Sequence, residues 1–264
     1  MSISKVTFFL FIFAHTLLAY EDSDIDGVDD AIDLCPNTSF DKLVDEDGCP
    51  QSEPYWGTLT FQIGYTMSFD ELNNRSSDYN FFSSYQYKQW NISLSNANQT
   101  SYDNNNNASS NTGDVYLSTA YLFDNDDFQT KVTLGTKIAT ADDEVGTGEN
   151  DYFTALSLTY LLNERQNIFT HFNYSLNGDS PEINYENSFS YALGTGYMLN
   201  PNCYASLSYE YVSSIYTEGE NYEALSLFLS HIFLENYFIS LNYTHGLDDL
   251  SYKHTLGFNI GMEL

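Results

Sequence analysis

The stretch Tyr55–Phe69, YWGTLTFQIGYTMSF, puts a large apolar residue at every odd position from Leu59: Leu59, Phe61, Ile63, Tyr65, Met67 and Phe69. Every even position from Thr58 to Ser68 is small or polar. Successive side chains of a strand point to opposite sides, so a period of two over this length makes a β-strand with one apolar and one polar face. The same alternation returns, between turn residues, to the end of the chain. Val132, Leu134 and Ile138 share one face of one segment, Phe189, Tyr191, Leu193 and Tyr197 of another, and Leu256, Phe258, Ile260 and Met262 of the last. The opposite faces are mostly Ser, Thr, Gly, Ala and Asn. An apolar face on nearly every strand can be hidden in two ways. Two sheets can pack face to face, or one sheet can close into a barrel whose outside meets lipid.

The connections favour the barrel. The alternation predicts twelve strands over about 55–69, 79–87, 89–97, 113–123, 128–140, 151–162, 167–177, 185–199, 202–213, 222–234, 236–245 and 252–264. Tight links fall around Lys88 and at Asp124–Asp127, Leu162–Gln166, Leu199–Pro201 and Leu234–Asn236. Long polar ones fall at Asp70–Asp78, Asn98–Thr112, Ala141–Asn150, Gly178–Asn184, Ser214–Asn221 and Gly246–Ser251. Short turns at one end and long loops at the other are the pattern of outer-membrane barrels. With 23 Tyr and 19 Phe but only 42% hydrophobic residues, the composition also suits a wall with one greasy side. The expected fold is all-β, a twelve-stranded antiparallel transmembrane β-barrel over 55–264. An even strand count puts both its ends on the short-turn, periplasmic side. If 79–97 is instead a single strand, that parity fails.

Residues 1–20, MSISKVTFFLFIFAHTLLAY, carry one Lys and then an apolar run, which reads as a secretory signal peptide cut after Ala19 or Tyr20. The run is too short to span a bilayer as a helix. Against 37 Asp+Glu stand 8 Lys+Arg, a formal charge of −29, which excludes nucleic acid as a partner. The long loops are rich in acids, Asp142, Asp143, Glu144, Glu149 and Asp151 in one stretch alone. Beside anionic lipopolysaccharide they call for bridging divalent cations. The final HTLGFNIGMEL resembles the closing strand recognised by barrel-assembly machinery, with Leu264 in place of the usual Phe or Trp. The resemblance implies that machinery as a partner during insertion into the bacterial outer membrane.

Between signal and barrel lies an acidic segment, 21–54. Asp22, Asp24 and Asp26 alternate and Gly27 follows, as in a calcium loop that turns sharply around a hard cation. Counting from Asp22, the carbonyl of Val28 falls at the seventh position and Asp33 at the twelfth, where the closing ligand sits. Cys35 and Cys49 bracket a short loop in an oxidising compartment and are expected to form a disulfide. Cys203 is left over, a small residue of the wall. The pattern Asp22-x-Asp24-x-Asp26-Gly27-x-x-Asp30-x-x-Asp33-x-Cys35-Pro36, followed by Val44-Asp45-x-x-Gly48-Cys49, resembles a thrombospondin type 3 repeat. The resemblance covers about thirty residues, in essence one unit where the family stacks several. It implies Ca2+ ligation by Asp22, Asp24, Asp26, Asp30 and Asp33, with Val28 through its backbone, and a tie to cell adhesion or a spacer role.

Function rests on the inward face. By parity it is mainly small, and twelve strands enclose a wider interior than eight. Lys88, Lys131, Lys137 and Lys253 fall on the inward parity, with His171, Glu210 and Glu263. Two readings follow. One is a narrow, porin-like pore with a weakly positive lining for small hydrophilic solutes. The other is a closed barrel braced by Lys–Glu pairs, with a structural or adhesion role. Outer-membrane phospholipase A is also a twelve-stranded barrel, but its family's His-x-Ser pair is not matched by His171-x-Asn173, His231-x-Phe233 or His245-x-Leu247. No nucleophile stands at a recognisable spacing from a base, so an enzyme is not expected.

Overall fold

A computed structural model describes residues 22, 24, 27, 28, 30, 32–36, 38, 44–50, 57–70, 75–102, 108–125, 127–141, 148–179, 184–248 and 252–264, with backbone alone at 99, 101, 102 and 108–111. The expected signal peptide and the ligand Asp26 lie outside the described residues. The chain divides into two compact units, Met1–Ser52 and Glu53–Leu264.

The second unit is made of twelve strands: β1 Thr58–Phe69, β2 Arg75–Tyr87, β3 Trp90–Tyr102, β4 Ala108–Asn125, β5 Phe128–Ile138, β6 Asp151–Asn163, β7 Gln166–Leu176, β8 Ser188–Asn200, β9 Cys203–Val212, β10 Tyr222–Leu234, β11 Tyr237–Gly246 and β12 His254–Glu263. Each pairs antiparallel with its neighbours in sequence, and β12 returns to β1, so the sheet is a closed barrel. The closing seam runs from Thr60 opposite Glu263 to Phe69 opposite His254. Leu59 and Leu264 exchange two further backbone hydrogen bonds, 2.8 and 2.9 Å. Five connections, including Lys88–Gln89, are two residues long, and the other six run from five to twelve residues. The break at Lys88 is therefore real, with Lys88 in a left-handed conformation, φ 52°, that turns the chain back.

Three strands differ from expectation. Of the polar stretches 70–78 and 98–112, read as loops, much is ladder: β2 begins at Arg75, and β3 and β4 stay paired out to Tyr102 opposite Ala108. Ser, Thr and Asn fill both faces here. Backbone pairing needs no apolar side chain, so the ladder continues where alternation has vanished. One irregularity interrupts it, between Asn96 and Asn98 on β3. There Asn96 Nδ2 donates to the carbonyls of Gly113, 2.8 Å, and Asp114, 3.2 Å, and stabilises the bulge.

The register puts the two faces of the wall on opposite sides. Ile63, Leu134, Leu193 and Leu207 stand on the outer face and are 53–61% exposed, a surface for hydrocarbon and not for water. Rings gather toward both ends of this face. Trp90, Tyr121 and Phe123 lie near the short turns, and Phe189, Tyr191 and Tyr211 near the long loops, with neighbouring centroids 4.7–5.5 Å apart. Among the described residues the buried apolar side chains are Ala120, Ala155, Cys203 and Ala224, and no large one is fully buried. Among the described residues this wall has no packed apolar core. On its inner face, large rings lie over glycines of the adjoining strand: Phe153 over Gly135, Phe169 over Gly194 and Phe238 over Gly261.

Gly113 is a different case, because a Cβ there would meet the backbone oxygen of Ala97 at 2.0 Å. Gly113→Ala is expected to cost about 1–3 kcal/mol by overpacking the bulge. Gly135→Ala meets only a ring that can swing into the interior and should cost less. Midpoints of heat-modifiable gel migration compare the two.

Candidate functional site

Of the expected charged residues the inner face carries Lys131, Lys137, His171, Glu210 and Glu263, and Lys137 does not have the expected Glu partner. Lys137 on β5 is 5% exposed. Its Nζ lies 2.5 Å from Asp151 Oδ2 on β6 and 3.7 Å from Asp114 Oδ2 on β4. Both carboxylates also hold backbone. Asp114 Oδ1 accepts from Thr140 N and Ala141 N, each at 2.9 Å, and Asp151 Oδ1 accepts from Gly178 N at 2.8 Å. The triad thus ties three strands to the roots of two long loops.

Lys131 sits lower on β5, opposite Ser157, which is opposite His171 on β7. Ser157 Oγ and His171 Nδ1 are 2.8 Å apart. His171 pairs with Ala192, and Ala192 with Glu210, so one row perpendicular to the strands runs Lys131, Ser157, His171, Ala192, Glu210. Lys131 is three residues from the short-turn end of β5, while Glu210 is two from the long-loop end of β9. The row therefore climbs the wall. Lys131 and His171 are exposed although they face the interior, and among the described residues Lys131 has no carboxylate at ion-pair distance. Ser157 Oγ accepts or donates at Nδ1, the ring atom that a catalytic carboxylate ordinarily orients. The contact links two strands.

Two of the four lysines lie off the wall. Lys88 is in the first two-residue turn, with Nζ 5.8 Å from the Tyr87 ring centroid. Lys253 is in the last long loop, donating to the carbonyl of Asp248 at 2.5 Å. The inner parity holds more acids than Glu210 and Glu263, since the register adds Asp78, Asp114, Asp124 and Asp151. The expected weakly positive lining is corrected accordingly. All four added acids lie within one residue of strand ends assigned from alternation, where parity is hardest to read.

In the N-terminal unit Cys35 and Cys49 form a disulfide, Cα–Cα 4.9 Å. Asp45 organises the loop it closes. Its Oδ1 accepts from Asp47 N and Cys49 N, at 3.1 and 3.0 Å. Val44 bridges to Pro50. Of the expected calcium ligands, Asp22 is 3% exposed and its Oδ2 accepts from Gly27 N at 3.0 Å. Gly27 has φ +97°, the bend expected of it. Asp24 Oδ2 accepts from Thr38 N at 2.6 Å, while Asp24 Oδ1 is buried without a hydrogen-bond partner. A buried carboxylate oxygen left unpaired is costly unless something positive meets it. Asp33 Oδ1 accepts from Cys35 N, and Asp30 is exposed. Among the described residues no three His, Cys, Asp or Glu side chains converge on a metal position. The donor types and the orphaned oxygen nevertheless fit Ca2+, which would be held by Asp22 and Asp24 and by the carbonyl of Val28.

No family model matches the chain, and no curated protein is significantly similar to it in sequence. Solved structures do match. An outer membrane channel from Pseudomonas putida F1 aligns with a TM-score of 0.62 at 10% identity, covering 79% of this chain and 96% of that one. The NanC porin aligns at 0.54 and 11% identity, covering 77% and 98%. The KdgM porin in complex with disordered oligogalacturonate aligns at 0.52 and 9% identity, covering 76% and 97%. At such low identity the likeness establishes the fold. The chain folds as a closed twelve-stranded barrel of the architecture seen in bacterial outer-membrane channels.

Removing the cation of the Lys137 triad leaves two buried carboxylates facing each other. Lys137→Gln is expected to destabilise the barrel by about 3–5 kcal/mol. It should also speed proteolysis in the loops after Ile138 and Leu176. Adding Asp114→Asn and Asp151→Asn should restore most of the loss, as read by urea unfolding in detergent.

Proposed function

We propose that the protein is a passive, porin-like channel for small hydrophilic solutes, set in a bacterial outer membrane, with the 21–54 segment as a calcium-binding periplasmic spacer. The observation that carries this reading is the unpacked interior. No large side chain is fully buried among the described residues, and inner-face Lys131 and His171 remain accessible to solvent. A barrel sealed by its own side chains would bury them. The similarity in fold to three outer-membrane channels supports the same reading.

The charge of the lining bears on the solute. Six inner carboxylates, Asp78, Asp114, Asp124, Asp151, Glu210 and Glu263, outnumber Lys131 and Lys137. The lining therefore favours neutral and cationic solutes. The KdgM structure holds oligogalacturonate, a polyanion. This wall is poorly charged for such a solute. On the long-loop rim Glu149, Asp179, Glu186, Glu218 and Glu220 add more negative charge. Divalent cations would bridge that rim to lipopolysaccharide.

Single-channel recording in planar bilayers tests the channel. Steady conductance with cation preference is expected, and Lys131→Glu should strengthen that preference. Absence of conductance at every salt concentration would return the protein to a structural or adhesion role. Calorimetric titration of the full mature chain with calcium tests the spacer. Asp24→Asn should weaken binding on the order of tenfold by removing one ligand charge. A flat wild-type titration at millimolar calcium would leave a spacer without an ion.

A further inference from the structure

The outer face near the long loops carries a pair of histidines that neither the channel nor the calcium segment uses. His245 on β11 and His254 on β12 are directly opposed in the register. The adjoining Gly246 N donates to Lys253 O at 3.2 Å. That makes Gly246–Lys253 a hydrogen-bonded pair and His245–His254 the non-hydrogen-bonded kind, whose side chains stand closer together. The two imidazole centroids are 5.2 Å apart with planes 33° from parallel.

The hydrogen bonds at the rings set which nitrogens are free. His245 Nδ1 lies 2.9 Å from the Lys253 carbonyl. A carbonyl only accepts, so Nδ1 carries the proton and the lone pair is at Nε2. His254 Nδ1 lies 2.9 Å from the Tyr243 hydroxyl, which can accept. Both rings can therefore present Nε2 as a ligand while an oxygen holds Nδ1, the usual second-shell arrangement of metal-bound histidine. The spacing agrees as well. A tetrahedral metal about 2.0 Å from two Nε2 atoms holds its imidazole centroids roughly 5 Å apart.

We propose that His245 and His254 form a two-histidine site for a borderline divalent transition metal, zinc or copper(II), at the long-loop rim of the outer face. Among the described residues no third His, Cys, Asp or Glu joins them. The remaining positions fall to water or to headgroup oxygens, since His254 is exposed at the end of its strand. Imidazole selects these metals over calcium and magnesium, which prefer oxygen. The ion would pin β12, the closing strand, to β11 at the last pair before the loop.

The test uses the untagged full mature chain in phosphatidylcholine vesicles, titrated with copper(II) in millimolar calcium to occupy the carboxylate sites. One copper per chain is expected, with an electron paramagnetic resonance spectrum showing two imidazole nitrogens and displacement by zinc. His245→Asn and His254→Asn should each weaken binding at least tenfold and leave one nitrogen coupling. Tyr243→Phe should weaken it less, and His231→Asn not at all. Heat-modifiable migration checks that each variant has folded. If one fails to fold, the wild-type spectrum and its zinc competition decide. A wild-type spectrum without two coupled nitrogens, or binding unchanged in both histidine variants, would overturn the proposal.

Discussion

Everything in the larger unit depends on the seam between β1 and β12. A twelve-stranded sheet left open would present two rows of unpaired N–H and C=O groups to hydrocarbon, each costing several kcal/mol. From Thr60–Glu263 to Phe69–His254 the seam satisfies both rows at once. It also fixes the register, because a slip of one residue would turn Ile63 and Met67 inward and Gly64 and Thr66 toward lipid. The ring of backbone bonds comes first, and the separation of greasy outside from polar inside follows from it.

Closure also explains why so little of this protein is buried in the ordinary sense. A soluble domain gains stability by hiding large apolar side chains from water. Here those side chains stay on the surface, because the membrane performs the transfer. Inside, Phe153, Phe169 and Phe238 lie flat over glycines and cover strand positions that have no side chain of their own. Charge inside is handled locally. Lys137 is spent on Asp114 and Asp151, while Lys131 and His171 stay exposed on the inner face.

The strand count and the faces of the wall were legible because lipid on one side and water on the other impose a strict alternation. Legibility ended where that contrast ended. At 98–112 Asn, Ser and Thr stand at odd and even positions alike, so they gave no sign that the ladder continues to Tyr102 and Ala108. Asp114 and Asp151 were missed for a related reason: each sits within one residue of a strand end as the alternation places it, and the contact with Lys137 joins three strands. Ser157 and His171 are 14 residues apart and meet only through the register. The spacing of Asp22 and Asp24 was readable in full. Their burial, and the unpaired Oδ1 of Asp24, were not.

The climb of the row from Lys131 to Glu210 has a consequence for the proposed channel. Residues that are neighbours around the circumference lie at different depths along the axis. A solute in that channel would meet the charges of this row at successive levels and not as a ring at one level. The row is a spiral stair, with an ammonium near one end and a carboxylate near the other. In the proposed channel an anion drawn to Lys131 would leave Glu210, at another level, open to a cation.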